Sequence, residues 1–347
     1  MNDSHDKPNT PKRRPRYPGR NPRHFTEKYK EHSPDRYPED VAKVIDAGKT
    51  PAGTHRPIMV REILEVLAPA PGDFAVDCTL GYGGHAEALL AAIQPGGRLL
   101  GLDVDPIELP KTELRLRALG YGPDRFTAIH SNFAGVAKLL PEPAEMLLAD
   151  LGLSSMQIDN PQRGFTYKHD GPLDLRMNPR KGQPASALLA ELDPSRLSEL
   201  LANNSDEPDA DRIARAILHA PATTTLQLAA AVRKAGGDED SIRRVFQALR
   251  IAVNDEFGAL EAFLRNLPFC LKPGGRVAVL TFHSGEDRRV KKSFKAMYQD
   301  GVYSSIADEV LRPSPGECRE NPRSSSAKLR WAKMPDQIEE ATQRATA

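Results

Sequence analysis

Cysteine is scarce: Cys78, Cys270 and Cys318 are the only three in 347 residues, and they fit neither a C-x-x-C metal pattern nor an even disulfide framework. A reducing compartment suits them. No apolar run approaches the roughly eighteen residues of a membrane helix, and the polar, proline-rich start offers no apolar signal-peptide core. A soluble, cytoplasmic protein with no membrane partner is expected. An excess of one charge is also missing, since 48 basic residues oppose 47 acidic ones for a net charge of +1. Any affinity for nucleic acid must then come from local clusters. Aromatics make up only 6% of the chain, which leaves few rings for stacking bases, whereas 39% hydrophobic residues at this length suffice for a sizeable core.

Residues 1–50 carry repeated prolines among charges with almost no apolar periodicity, the composition of a disordered arm. Seven Lys or Arg stand against two Asp in its first 23 residues, "KRRPR" at 12–16 included; such an arm either touches phosphates or simply keeps the chain soluble. Next come a helix over 59–67, a short buried strand in "DFAVDC", a glycine turn, a helix over 86–93, a "PGG" turn and a second strand in "RLLGLDVD". That succession is a βαβ unit. Third and fourth strands are read in "FTAIHS" and "EMLLADLGLSS".

The fifth strand, "GRVAVLTF" at 275–282, lies about 125 residues beyond Asp150, too far for an ordinary crossover. "ASALLAEL", "PSRLSELLAN", "DADRIARAILHA", "LQLAAAVRKA" and one long helix "RRVFQALRIAVNDEFGALEAFL" fill the gap. The expected organisation is an α/β chain with an open, doubly wound sheet over 51–159 and 245–335, a helical insertion over 160–244 between strands four and five, and a flexible tail over 336–347. "SAKLRWAKM" supplies the last strand.

The glycine turn "DCTLGYGGHAEALL" decides the ligand class. A P-loop requires Lys and Ser/Thr after its last glycine, yet Gly84 is followed by His85. A dinucleotide fingerprint wants a third glycine where Glu87 and Ala88 stand, which weakens that reading without excluding it. Asp103 ends the second strand 22 residues after Gly81, well placed to accept ribose hydroxyls in either cofactor class. "DCTLGYGG" with "GLDVDP" is the pattern of S-adenosylmethionine sites; a tight structural turn with a surface Asp is the bland alternative.

The ordered blocks "HRPIMVREIL", "DCTLGYGGH", "LLADLGLSSMQIDNPQRGFTYKHDGPLDLRM", "RIARAI", "FQALRIAVNDE", "GGRVAVLTFHSGEDRRVK" and "NPRSSSAKLR" resemble the bacterial small-subunit rRNA cytosine-N4 methyltransferases over about residues 54–333. The resemblance implies a Rossmann-like class I methyltransferase domain with a helical substrate-recognition insertion, S-adenosylmethionine as cofactor, and a decoding-region cytidine of small-subunit rRNA, in the 30S subunit, as substrate. DNA is not expected as a partner. By motif, Gly83, Gly84, His85, Asp103, Phe133, Asp150 and Gln157 fall on the family's cofactor positions.

Methyl transfer from a sulfonium is an in-line displacement, so the acceptor nitrogen must be held about 3–3.5 Å from the methyl carbon. A cytosine amine has a delocalised lone pair, and an acceptor beside N4 helps by orienting or removing a proton. Asp150, at the carboxyl end of strand four, is the first candidate, with a cofactor contact as its other reading. Asp174 and Arg176, in the loop "KHDGPLDLRM" with His169 and Asp170, either line the base pocket or pair with one another. His283 and Ser284, after strand five, either contact the base or cap the following helix. Asp150, Asp174 and His283 are thus the catalytic candidates, and no metal site is expected. Basic clusters at 288–295 and 312–333 are candidate RNA surfaces, or merely solvated faces, with Phe165 and Tyr167 as stacking candidates for a flipped base. The family pattern is departed from at Gly285, where leucine is usual, at Tyr82, where arginine is common, and in "NNSDEPDADRIARAI".

Overall fold

The structure, a computed structural model, describes residues 57–336; the expected arm and all of the expected tail beyond Asp336 lie outside them. Short apolar runs form parallel strands when both faces are to be covered, and β1 (Phe74–Asp77), β2 (Arg98–Asp103), β3 (Phe126–His130), β4 (Ala144–Asp150) and β5 (Leu271–Thr281) are parallel neighbours in that sense. β6 (Ser305–Ile306) and β7 (Lys328–Lys333) complete a seven-stranded sheet of order β3-β2-β1-β4-β5-β7-β6, with β7 antiparallel to both neighbours. This is a Rossmann-like, doubly wound architecture. The two-residue β6 has no pattern that a sequence reading detects.

Alternation along the strands divides the core in two. Ala75, Leu99, Met146, Leu148, Ala278 and Leu280 face one way, against α1 (Val60–Leu67), α2 (Gly84–Ala92) and α3 (Leu109–Ala118). Val76, Leu100, Leu102, Leu147, Val277 and Val279 face the other.

Between β4 and β5 run α4 (Ser155–Asp159), α5 (Ala185–Glu191), α6 (Pro194–Ser205), α7 (Ala210–His219), α8 (Thr225–Lys234) and α9 (Glu239–Asn254). Side-chain caps at Asp193, Thr224 and Asp238 start α6, α8 and α9. Leu197, Leu201, Ile213, Ile217, Leu228, Val232, Ile242 and Leu249 close a separate core there. The boundary expected at Arg244 therefore falls inside α9, whose Val245, Phe246, Ala248 and Leu249 pack within the insertion; we take Asp255 as the boundary instead.

The single long helix expected across this boundary is two. α9 stops at Asn254, Asp255 adopts the left-handed conformation (φ 49°), and α10 (Glu256–Cys270) turns back onto the sheet with Leu260, Phe263, Leu264 and Leu267. Asn and Asp tolerate that conformation better than other residues except glycine. The Asn254 side chain ties the end of the helix to the loop after β4, accepting from Met177 N–H at 2.7 Å and donating to the Leu175 carbonyl at 2.7 Å and to the Arg250 carbonyl of its own helix at 2.8 Å. The chain closes through α11 (Ser284–Gln299), on the α10 side of the sheet, and α12 (Pro315–Glu320).

Candidate active site

Parallel strands deliver their carboxyl ends to one edge, and the order reverses on either side of β1, where such sheets open a crevice. Asp77, Asp103, His130 and Asp150 end β1 to β4 on that edge, and His283 follows β5.

Between β1 and α2 the glycine turn is held from behind. Thr112 Oγ donates to the Gly81 carbonyl at 2.5 Å, Arg115 donates to the Tyr82 carbonyl, and its guanidinium lies 4.3 Å over the Tyr82 ring. Gly83 has φ 82°, and a Cβ there would stand 2.9 Å from Thr112 Cγ2; one on Gly84 would stand 2.9 Å from Pro57 Cγ. Packing alone thus disfavours a larger side chain at either position. Tyr82 serves as part of this clamp.

Asp103 spans the crevice floor. It accepts from Gly81 N–H at 2.7 Å and Asp105 N–H at 2.8 Å, and burial nonetheless raises its pKa to about 6. A carboxylate has about four lone-pair sites, so acceptors remain for ribose hydroxyls. Asp77, fully buried, is raised by burial to about 6 while the neighbouring His85 pulls the other way. Asp77 is the first residue of the "DCTLGYGG" pattern and closes β1.

His85 and Asp150 meet across α2 and β4. His85 Nε2 lies 2.9 Å from the Ile58 carbonyl, and its Nδ1 lies 3.4 Å from Asp150 Oδ2. Asp150 Oδ1 is inaccessible and has no hydrogen-bond partner, although 26% of the side chain is open at the crevice. Burial, then the charge of Glu286, raises Asp150 to about 7, and burial lowers His85. The ionised Glu286 follows from its own surroundings: burial opposes its charge, but His283, Arg250 and the Phe282 N–H outweigh that and hold its pKa below the ordinary value.

The remaining candidates are spent on structure to differing degrees. Gln157 accepts from Ser154 N–H in a capping box and donates to Asp105, which also holds the buried Arg163 at 2.8 Å. Arg163 donates onward to the Arg176 and Met177 carbonyls, so one buried pair, missed by sequence reading, sets the loop after β4. The "S-S-M-Q" capping box was the available signal. Phe133 sits just past β3, edge-on to Phe263 at 5.3 Å. Asp174 grips Arg176 through both oxygens, which overcomes the opposing effect of burial and lowers its pKa; this is the anchoring reading of that pair. Asp170 accepts from Leu226 N–H, and the His169 carbonyl from Thr225, tying the loop to α8. His283 caps α11 through Nδ1 and its Nε2 lies 3.2 Å from Glu286 Oε1. Phe257 occupies the space beside Gly285, where an added Cβ would come within 2.7 Å of its ring.

The family model described as the MraW methylase family matches residues 52–335. The chain belongs to the MraW methylase family. It is 50% identical to ribosomal RNA small subunit methyltransferase H 2 of Alkaliphilus metalliredigens, over 92% of this chain and 97% of that one. It is 48% identical to ribosomal RNA small subunit methyltransferase H 1 of Lachnoclostridium phytofermentans, over 92% of each. With ribosomal RNA small subunit methyltransferase H of Rubrobacter xylanophilus the identity is 40%, over 81% of this chain and 96% of the relative.

In this MraW methylase the basic clusters are thinner as surfaces than their counts suggest. Arg288 grips Asp206 at the end of α6, and Arg289 bonds Glu261 while lying 3.5 Å over the Phe257 ring. Lys291, Lys292 and Lys295 remain exposed on α11 with Tyr298. Arg323 pairs with Asp159, Lys328 and Arg330 with Asp287, and Lys333 with Asp336, leaving Arg312 and Arg319 exposed. Phe165 and Tyr167 belong to the insertion's core, Tyr167 packing 5.4 Å from Phe246, so neither stands free as a stacking platform. Among the described residues, no helix is long and apolar enough to cross a membrane.

Proposed function

We propose that this chain methylates the exocyclic N4 amine of a decoding-region cytidine in small-subunit rRNA, with S-adenosylmethionine as donor, acting on the 30S subunit in the cytoplasm. One observation carries the site assignment: Asp150, with an unpartnered buried oxygen and an open flank, ends β4 beside the glycine turn and Asp103. The donor set suits the cofactor. Asp103 would accept its ribose hydroxyls, the turn over Gly81 to Gly84 would face its amino-acid end, and Phe133 and Gln157 would border its base, Gln157 by position because its side chain is already engaged. Bound S-adenosylmethionine supplies an electrophilic methyl group.

The protein's own work is positioning. The buried Asp105–Arg163 pair, Asn254 and the Asp174–Arg176 pair fix the loop after β4 against the crevice; its polar backbone would receive a base taken out of its stack. His283 and Glu286 close the opposite wall after β5. Asp150 orients N4 and takes its proton, a base whose pKa of about 7 is near the working pH. The names of the relatives support rRNA of the small subunit as substrate. The test is to incubate the protein with methyl-labelled S-adenosylmethionine and unmodified small subunits, then separate RNA from protein. Label is expected in the rRNA; label in ribosomal protein, or none, contradicts the proposal.

A further inference from the structure

Asp150 is not alone at the crevice. Its neighbour His85 is a buried imidazole whose two nitrogens face chemically different partners, and that asymmetry fixes where the proton sits. The Ile58 carbonyl, 2.9 Å from Nε2, can only accept, so Nε2 carries the hydrogen. Nδ1 of the neutral ring is then a lone pair, directed at Asp150 Oδ2 at 3.4 Å. A lone pair facing a carboxylate is repulsive; facing a carboxylic acid, it accepts a hydrogen bond.

Resting on the proposed cytidine reaction, we infer that His85 is the positioning residue for Asp150: its Nδ1 accepts a hydrogen bond from the O–H of Asp150 after the carboxylate has taken a proton from N4. The step balances. As N4 bonds the methyl carbon, the C–S electron pair stays on sulfur, one N4 proton passes to the Asp150 carboxylate, and the resulting acid donates to His85 Nδ1. No net charge is left between the two side chains.

The tautomer is built into the entry segment. Pro57 lies against Gly84, Met59 holds a left-handed backbone (φ 56°) and donates its N–H to Glu317 at 2.8 Å. An apolar residue in that conformation is strained, and strain of this kind persists where its surroundings enforce it. Here it presents the Ile58 carbonyl to His85. The charged groups acting on the pair are Asp77 at the end of β1, Glu286 from α11 and Glu317 from α12. All three are acidic, and burial still keeps His85 below its ordinary pKa.

Two measurements test this. Nitrogen NMR of the histidine rings in the ligand-free protein should show His85 neutral at pH 7, with hydrogen on Nε2 and bare Nδ1; a protonated Nδ1, in either a neutral or a cationic ring, overturns the inference. Steady-state kinetics against pH should show His85→Leu losing about 10²-fold in kcat with KM for the small subunit unaltered and its acid limb moved to lower pH, because the acid form of Asp150 has lost its acceptor. His85→Gln, whose amide can donate to Ile58 and accept from Asp150, should recover most of the rate. An acid limb that stays in place or moves up in His85→Leu, or a His85→Gln variant that folds but recovers nothing, overturns the pair. Absence of N4-methylcytidine from the wild-type reaction overturns the functional reading itself, and the inference with it, whereas the NMR outcome tells against the pair alone.

Discussion

Gly81 donates its backbone N–H to Asp103 at 2.7 Å, so the glycine turn and the end of β2 form one unit, tied together before any ligand arrives. Asp103→Ala removes this tie and the expected ribose acceptor at once. Hydrogen bonds to charged groups contribute about 1.5–3 kcal/mol each, and S-adenosylmethionine affinity should fall by about 10-fold to 100-fold or more by calorimetry. Because Asp103 titrates near pH 6, wild-type affinity should hold from pH 8 to 7 and weaken below 6. Unaltered affinity in the variant would place the ribose elsewhere.

Asp150→Asn should separate stability from activity. In the folded protein Asp150 binds its proton up to about pH 7, far above the ordinary carboxylate range. The native state therefore holds more protons than the unfolded chain between about pH 4 and 7, and stability conferred by this group falls as pH rises through that window. The asparagine variant avoids the penalty, and its amide can donate to His85 Nδ1. It should melt higher than wild type at pH 8, by about 2–4 °C per kcal/mol gained, converge with wild type near pH 4, and lose methylation.

Asn254→Ala tests the break between α9 and α10. The side chain bonds both Leu175 and Met177, and buried groups left unpaired cost about 1–3 kcal/mol. The variant should lose thermal stability by that order, and its KM for the small subunit should rise more than its affinity for S-adenosylmethionine falls. A variant that loses cofactor affinity instead would mean that the loop serves the other half of the crevice.

The basic residues divide by their partners. Lys291, Lys292 and Lys295 are exposed on α11, whereas Arg330 is buried against Asp287. Substituting the three lysines by alanine should leave the melting temperature in place and reduce the salt dependence of RNA binding, by about 0.7 in slope for each phosphate no longer neutralised. Arg330→Ala should instead lower stability by more than about 1 kcal/mol. Equal salt slopes in wild type and triple variant would make the lysine face a solvated surface only.

Sequence alone disclosed the sheet because parallel strands covered on both faces read as unbroken apolar runs, and disclosed the insertion because no crossover needs so many residues. It located Asp103, Asp150 and the glycine turn through their places at strand ends. It missed the break at Asp255, where a tertiary bond from Asn254 to a loop overrides helical periodicity. The ion pairs inside the basic clusters were not legible either, since Arg288 finds Asp206 and Arg330 finds Asp287 only once the chain has folded. The role of His85 depends on the Ile58 carbonyl, a backbone group with no signature in residue type.

Small subunits lacking the modification, incubated with the protein and methyl-labelled S-adenosylmethionine, should give rRNA whose nucleoside digest carries the label as N4-methylcytidine by mass spectrometry. Label on another nucleoside, or on a cytidine carbon or ribose, would contradict the assignment of Asp150 to the exocyclic amine.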